Sequence, residues 1–575
     1  MPNDARIDTG PPPYPTEDIL AQPLPERLRL VCKTFVHQIH GTPTAIYLAY
    51  WLKYLLLYVG GWAFFCSFTP GMGNPLSIGT WAFTPIAFQK FVLFAIFYEA
   101  LGLGCSSGPM TARFKPPIGG ILYFARPGTT KIPFFPGIPV FGGTRRTWLD
   151  VALYLAHQGF MLRALMAPDI TPDMLLPAVI LLPLIGITDK VVMLAARYEH
   201  YWVALVCLWF ASEGEFTTEG DLWISACKVV WVAVWFWAAT SKLNHHFPTV
   251  ILVMLTNSPL IPVWLRKKLY KGYPDDLRPS GLAAAMAHMG TLTEYSFPVV
   301  LLLGDGGMLT AAALTVMLGF HLFISLNMPS GMPIEWNITM VFGGFFLFGH
   351  NPEVSVLALQ ALPLLCLFLC FNLVLVPLYG NFFPKHVSFL SSMRYYAGNW
   401  AYCVWLFRGD SQKKLSKLVK PAGSMREQLL DLTGDEAAVE AAMMMCSGQR
   451  LMHLEGRALH DALPAAVDDL DAYEWVEGEI LCGIVIGWNF GDGHLHTEQL
   501  IDAVQEQCDF DEGELRVVIV ESQPLFGKTM AWRVVDAVSG EIARGESKIS
   551  EMRERQPWPT GERAEAFLRG VRETA

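Results

Sequence analysis

Residues 231–247 read WVAVWFWAATSKLNHHF. A run of apolar and small residues ends in Ser241, Lys242, Leu243, Asn244, His245 and His246, so a lysine and two imidazoles stand at or just inside the boundary of an apolar segment. Ionisable groups are expensive there, which makes the cluster a functional-site hypothesis. The plainer alternative is a lysine whose stem lies along apolar surface while its ammonium reaches lipid headgroups, with interfacial histidines beside it. Both readings put the segment in a membrane.

The rest of the chain agrees. With 575 residues, 52% hydrophobic and 16% charged, it is too apolar for an ordinary soluble protein, whose charged share is about 25%. The fold class expected is a polytopic α-helical membrane protein of about ten spans with a C-terminal soluble α+β domain. A net charge of −10 argues against a nucleic-acid partner. The eleven cysteines include no CxxC pair, and Cys66, Cys207, Cys227, Cys366 and Cys370 lie in apolar runs, so neither a disulfide framework nor a zinc site is inferred. Residues 1–44 form a polar, proline-rich arm with a short helix near Pro25 to His37; it is not a cleaved signal peptide.

Residues 45–380 make the helical membrane domain. Judged against the roughly 20 apolar residues that cross a bilayer, spans run Ala45 to Phe65, Trp81 to Leu103, Leu149 to Met166, Met174 to Thr188 and Val191 to Ala211. Five more run Leu222 to Thr240, Gly281 to Leu303, Met308 to Met328, Ile338 to His350 and Val354 to Tyr379. Between His246 and Leu265, Pro248, Pro259 and Pro262 break an apolar run that reads as re-entrant or interfacial. Basic loops, with Arg113, Lys115, Arg126, Lys131, Arg145 and Arg146 in one and Arg266, Lys267, Lys268, Lys271 and Arg278 in another, point inward; the acidic loop 212–221 points outward. The chain is therefore expected in the cell (cytoplasmic) membrane, multi-pass, with both termini cytoplasmic.

Residues 381–424 read as an interfacial helix, MRYYAGNWAYCVWLF, followed by a basic linker. Residues 425–575 read as the soluble α+β domain: a helix over Glu427 to Met445, a strand over Glu474 to Trp488, and a helix from Thr497 to Cys508. Three strands follow, Leu515 to Glu521, Met530 to Val538 and Glu541 to Ile549, the last two joined at Ser539 and Gly540.

Lys90, Glu99, His157, Arg197, Glu199, His200, Lys228, Lys242, His288, Glu294 and His321 lie in apolar segments. Singly, each reads as a structural interhelical pair. As a set they predict a shared polar interior with histidine and lysine available for acid–base work.

At these residues the sequence resembles a known superfamily. VWFWAATSKLNHHF looks like the segment bearing the catalytic lysine of the vitamin K-dependent gamma-carboxylases and of the horizontally transferred transmembrane (HTTM) proteins, which places Lys242 on that lysine. TDKVVMLAARYEHYWVALV and LGFHLFISLNMPSGMPIEWN resemble segments that place His200 and His321 on histidines needed for activity, with Asn327 near a polar partner. Ser241, Asn244 and Phe247 depart from the pattern. The whole chain, with its GWNFGDGHLH segment and QPWP ending, also resembles a bacterial transmembrane family of unknown function.

The resemblance implies a lipid-facing cavity with Lys242 as base, His200 and His321 as helpers, and Asn244, His245, His246, Glu294 and Asn327 as substrate-binding residues. A membrane lipid or a reduced quinone is the implied ligand, and no metal is expected. Lys242 is expected to lack a tight carboxylate partner. The rival readings are a non-enzymatic lipid binder or transporter, and a scaffold whose C-terminal domain recruits a protein partner. His494 and His496 carry a weak metal reading, and the glycines around them read as a turn.

Overall fold

The computed structural model describes residues 14–37, 48, 51–104, 120–211, 222–256, 258, 260–327, 334–394, 398–491 and 498–568. It is mostly helical, with a β-sheet region toward the C-terminus. The expected count of about ten spans is not carried by element length. Among the described residues three helices are long and apolar enough to cross a membrane: Leu222–Ser241, Met308–Leu326 and Pro363–Phe382. Residues 191–211 are not one span, because Arg197 takes a left-handed conformation (φ 57) between Lys190–Ala195 and the π-helical turn Tyr198–Trp202. Further π-helical turns occupy Tyr54–Val59, Phe345–His350 and Phe371–Leu375.

Of the three long helices, Leu222–Ser241 is central, with 78% of its apolar window buried against 33% and 28% for the other two. Trp231 and Trp235 fill its buried face. Helix Gly281–Leu303, whose first turn is capped by Ser280, packs beside it and turns Met289, Leu292 and Val299 outward. Helix Met308–Leu326 follows on the same side, with Val316 and Leu322 exposed.

Two basic residues that the orientation argument counts are not free loop charges. Lys131 pairs with Asp150 at 2.9 Å and Arg146 with Asp189 at 2.5 Å, all four buried. Asp150 also completes a capping box with Thr147 at the start of helix Trp148–Met166. Arg113, Lys115 and the acidic loop 212–221 lie outside the described residues.

The sheet differs most from expectation. A short hairpin comes first, β1 Tyr270–Gly272 and β2 Asp276–Pro279. Then β3 Tyr402–Arg408, β4 Tyr473–Glu477, β5 Leu515–Val520, β6 Thr529–Asp536 and β7 Gly540–Lys548 form an antiparallel sheet in the order β4-β3-β5-β6-β7. The stretch expected as an interfacial helix thus supplies an interior strand. Its alternate residues face two different cores: Cys403, Trp405 and Phe407 join the one that includes the membrane helices, while Tyr402, Val404 and Leu406 join the other. A strand buried on both faces has no polar alternation, so its apolar run imitates a helix. Residues 474–488 are strand only to Glu477; Gly478–Val485 is a helix capped by the Glu477 carboxylate. The helix expected from Thr497 is described as Gln499–Cys508, and Thr497 itself lies outside the described residues.

The second core also answers the proline-broken segment. Helix Phe247–Thr256 is buried there against the sheet and the N-terminal helix Leu24–His37, so protein covers the backbone of the broken run. The N-terminal helix packs along Glu436–Met452, where a side chain at Gly448 would meet Val31 and Phe35 at 3.1 and 3.2 Å. Lys33–Asp275 (2.5 Å) and Arg27–Asp471 (3.5 Å) tie the same helix to the hairpin and to the sheet region.

Candidate functional site

Lys242 follows the last turn of the central helix, with its amide donating to Ala239 O. Its ammonium is buried in an ion pair with Glu294 from helix Gly281–Leu303 and lies over the rings of Phe320 and Phe247, 5.4 and 5.6 Å from their centres. The sequence reading expects no carboxylate partner; the structure supplies one. The physical reason is periodicity. Glu294 sits about 200° round its helix from Leu292, so turning the apolar side chain outward turns the carboxylate in, beneath Lys242. Tyr295 OH donates to Thr240 Oγ1 at 2.7 Å and reinforces the contact.

His321, on helix Met308–Leu326, is held at both nitrogens. Trp235 Nε1–H donates to Nε2 at 3.0 Å, and Nδ1 lies 2.8 Å from Asn337 Oδ1. Because Nε2 accepts, the proton belongs on Nδ1, which donates to Asn337. Asn337 lies on helix Ile334–Gly344.

His200 belongs to a different cluster. It sits in the π-helical turn beside Glu199, Nδ1 to Oε1 3.3 Å, and Glu199 accepts from Arg197 Nε at 2.6 Å. The Arg197 guanidinium covers the ring of Trp336, whose Nε1 donates to Glu99 at 2.6 Å. Tyr58 and Tyr201 both meet Thr339 Oγ1 at 2.9 Å. Glu335 and Thr339 share one face of helix Ile334–Gly344, four residues apart, while Asn337 falls about 200° from Glu335. One helix therefore presents one side to the His200 cluster and the other to His321.

The remaining expected residues divide similarly. Asn244 donates to Gln523 O at 3.2 Å and accepts from Phe526 N at 2.9 Å, so it clamps a loop of the sheet region to the helical part. His245 is exposed. His246 is fully buried and acts electrostatically on His453 of the sheet region. Asn327 donates to Phe323 O at 2.6 Å at the end of its helix. His494 and His496 lie outside the described residues, and His460 contacts Pro557 O at 3.2 Å.

The single polar interior expected from the list of ionisable residues divides into separate sets among the described residues. Lys90 donates to Phe65 O and Ala167 O at 2.9 and 2.8 Å, and Lys228 to Asn351 O and Val354 O at 2.7 and 2.6 Å. Sequence reasoning misses Glu335, Trp336 and Asn337, because it begins a span at Ile338 whereas the helix begins at Ile334. A charged residue three positions before an apolar run is the signal that could have found them.

A family model described as a transmembrane protein of unknown function (DUF3556) matches residues 9–566. No curated protein and no solved structure matches the chain. Neither result links it to gamma-carboxylases or to HTTM proteins.

Proposed function

The chain belongs to the DUF3556 family of transmembrane proteins of unknown function, and on that premise we propose that it is a non-enzymatic membrane protein that holds a lipid-type amphiphile, a phospholipid or a quinone. The ligand's polar end lies at the Lys242–Glu294 pair. The observation that carries the reading is the place of this pair: buried, yet one layer behind the exposed apolar faces of helices Gly281–Leu303 and Met308–Leu326. A charged pair so close to lipid can exchange partners with a polar head without either charge entering hydrocarbon.

The gamma-carboxylase-like enzyme, with Lys242 as base toward a lipid or quinone substrate, is the second reading. In its favour, the Lys242 ammonium lies over the ring of Phe320, the residue next to His321. Against it, each expected catalytic residue is engaged. Lys242 is held by Glu294 and His321 by Trp235 and Asn337, and His200 is bound to Glu199. A base needs a free lone pair, and an ammonium inside an ion pair has none.

The test is mass spectrometry of amphiphiles extracted from purified wild-type protein, from the Lys242→Met/Glu294→Gln double variant and from Lys242→Arg. Binding predicts an amphiphile in wild type that the double variant loses. Wild type without one, or a double variant that keeps it, overturns the proposal. A chemically altered ligand on wild type that is unaltered on Lys242→Arg would establish the enzyme instead. Multi-pass insertion in the cytoplasmic membrane with both termini inside is the orientation that the basic linkers favour. A reporter fused after Arg408 that works only when exported would reverse it.

A further inference from the structure

Residues 450–457 read RLMHLEGR and place four ionisable groups at the end of helix Glu436–Met452 and in the single turn Glu455–Arg457. Facing them is the chain entering β3. Gly398, Trp400, Tyr402, Arg450, His453 and Glu455 line a small cleft, open to solvent at its mouth. The Arg450 guanidinium is 5.7 and 5.3 Å from the Trp400 and Tyr402 ring centres and is paired with Glu477 (2.6 Å) and Glu479 (2.5 Å). His453 meets Trp400 edge-on, with ring centres 6.2 Å apart.

Two groups here are buried and unmatched. Glu455 is 3% exposed, and its Oε1 has no hydrogen-bond partner among the described residues. Arg457 is 1% exposed, and none of its Nε, Nη1 and Nη2 has a partner among them. A guanidinium out of water without an acceptor is strongly unfavourable. Arg450 and Arg457 both act on the Glu455 carboxyl; Glu477 and Glu479 pair with Arg450, whereas no acceptor hydrogen-bonds to Arg457 among the described residues. His246 and His453, Cys32 of the N-terminal helix, and the hairpin's Asp276 and Arg278 are the other titratable groups around the cleft. Burial holds His453 down at about 3 and pushes Glu455 up to about 8. At neutral pH, then, the histidine is uncharged and the carboxyl is an O–H donor.

We propose that this cleft binds a phosphate group, received by Arg450, His453 and the Glu455 carboxyl, with the buried Arg457 guanidinium, which lacks a hydrogen-bond acceptor among the described residues, adding positive charge beside Glu455. Several donors from separate residues suit a tetrahedral anion with several acceptor oxygens. The cleft is small and lined by only six residues, so it takes a group and not a whole large molecule. The cleft adjoins the membrane-side turn: Leu454 N donates to Thr249 Oγ1 at 3.1 Å, and Thr249 Oγ1 donates to His246 O at 2.6 Å. A phospholipid head and a soluble phosphate ester share this chemistry. The site is separate from the Lys242–Glu294 pair and does not rest on the function proposed for it.

The experiment follows thermal unfolding of the full-length chain in an uncharged detergent, titrated with inorganic phosphate and with a short-chain phosphatidylglycerol. At least one probe should raise the melting temperature of wild type, with its apparent Kd weakened about tenfold or more in Glu455→Ala and Arg457→Met. Arg457→Met keeps bulk while removing the charge, so it should fold whether or not the site exists. Glu455→Gln keeps a neutral donor; it should bind like wild type at pH 7 and hold that affinity above pH 8, where wild type weakens as its carboxyl ionises. A shift with inorganic phosphate assigns the site to a soluble phosphate group, and a shift with the lipid alone assigns it to a head group. No shift with either probe at millimolar concentration, or variants that respond as wild type does, overturns the proposal.

Discussion

The guanidinium of Arg197 lies 3.1 Å from the centre of the Trp336 ring, and the same indole donates through Nε1 to Glu99 at 2.6 Å. One side chain thus answers a buried cation with its face and a buried carboxylate with its edge. This joins helix Pro85–Ala100, the left-handed kink at Arg197 and helix Ile334–Gly344. Trp336→Phe keeps the face and loses the donor; Trp336→Leu loses both. Thermal unfolding in detergent should rank wild type, Phe and Leu in falling order, with the Phe variant about 1–3 kcal/mol below wild type for the carboxylate left unmatched and the Leu variant lower by a further 1–2 kcal/mol or so. Equal melting for Phe and Leu would remove the ring face from the account.

The Lys242–Glu294 pair predicts a double-mutant cycle. Removing one partner leaves a buried charge and should destabilise by about 3–5 kcal/mol, whereas Lys242→Met with Glu294→Gln should recover most of the loss. Additive single effects in chemical denaturation would mean that the two charges do not depend on each other.

The crossing of helices Leu24–His37 and Glu436–Met452 depends on a missing side chain at Gly448. Gly448→Leu must displace Val31 and Phe35, and a loss of about 1–3 kcal/mol is expected from overpacking. Limited proteolysis should then cut within residues 14–37 faster than in wild type. Unchanged cleavage would show that the N-terminal helix is not held there.

A fragment of residues 425–575 lacks β3, which lies between β4 and β5. It should show no cooperative thermal transition, because two edges of its sheet lose their partner at once. A fragment beginning at Gly398 restores the strand and should recover part of the transition. Cooperative unfolding of the shorter fragment would make β3 dispensable.

The Glu455 carboxyl, at about 8 when folded against an ordinary 4.5, sets a pH dependence. Between those values the unfolded chain has released the proton and the folded chain has kept it, so this residue's contribution to stability falls as pH rises through that window and levels off above it. Glu455→Gln should match wild type near pH 4 and exceed it at pH 8–9. A constant difference across the range would contradict the assignment.

Several elements were legible because their signals are local. Helix Gly281–Leu303 has the boundaries that its serine cap and apolar run announce, and β6 and β7 follow their alternation and their turn glycine. β3 was not legible, since burial on both faces erases the alternation that identifies a strand. Of the candidate site, the need of Lys242, Glu294 and His321 for buried partners could be read from ionisable groups placed in apolar runs. Their partners could not, because Glu294 beneath Lys242 and Trp235 against His321 depend on how helices rotate against one another. His200 shows the limit most clearly. It shares the chemistry of His321, yet the face of helix Ile334–Gly344 that it meets decides which cluster it joins.

Because β3 lies inside the sheet and follows closely on the last long apolar helix, the two halves of the chain are mechanically in series. Asn381, at the end of helix Pro363–Phe382, accepts from Leu525 N at 2.8 Å and donates to Ser392 O at 2.9 Å. Any tilt or piston movement of that helix in a bilayer of changing thickness or tension is delivered to the middle of the sheet, not to an edge that could yield.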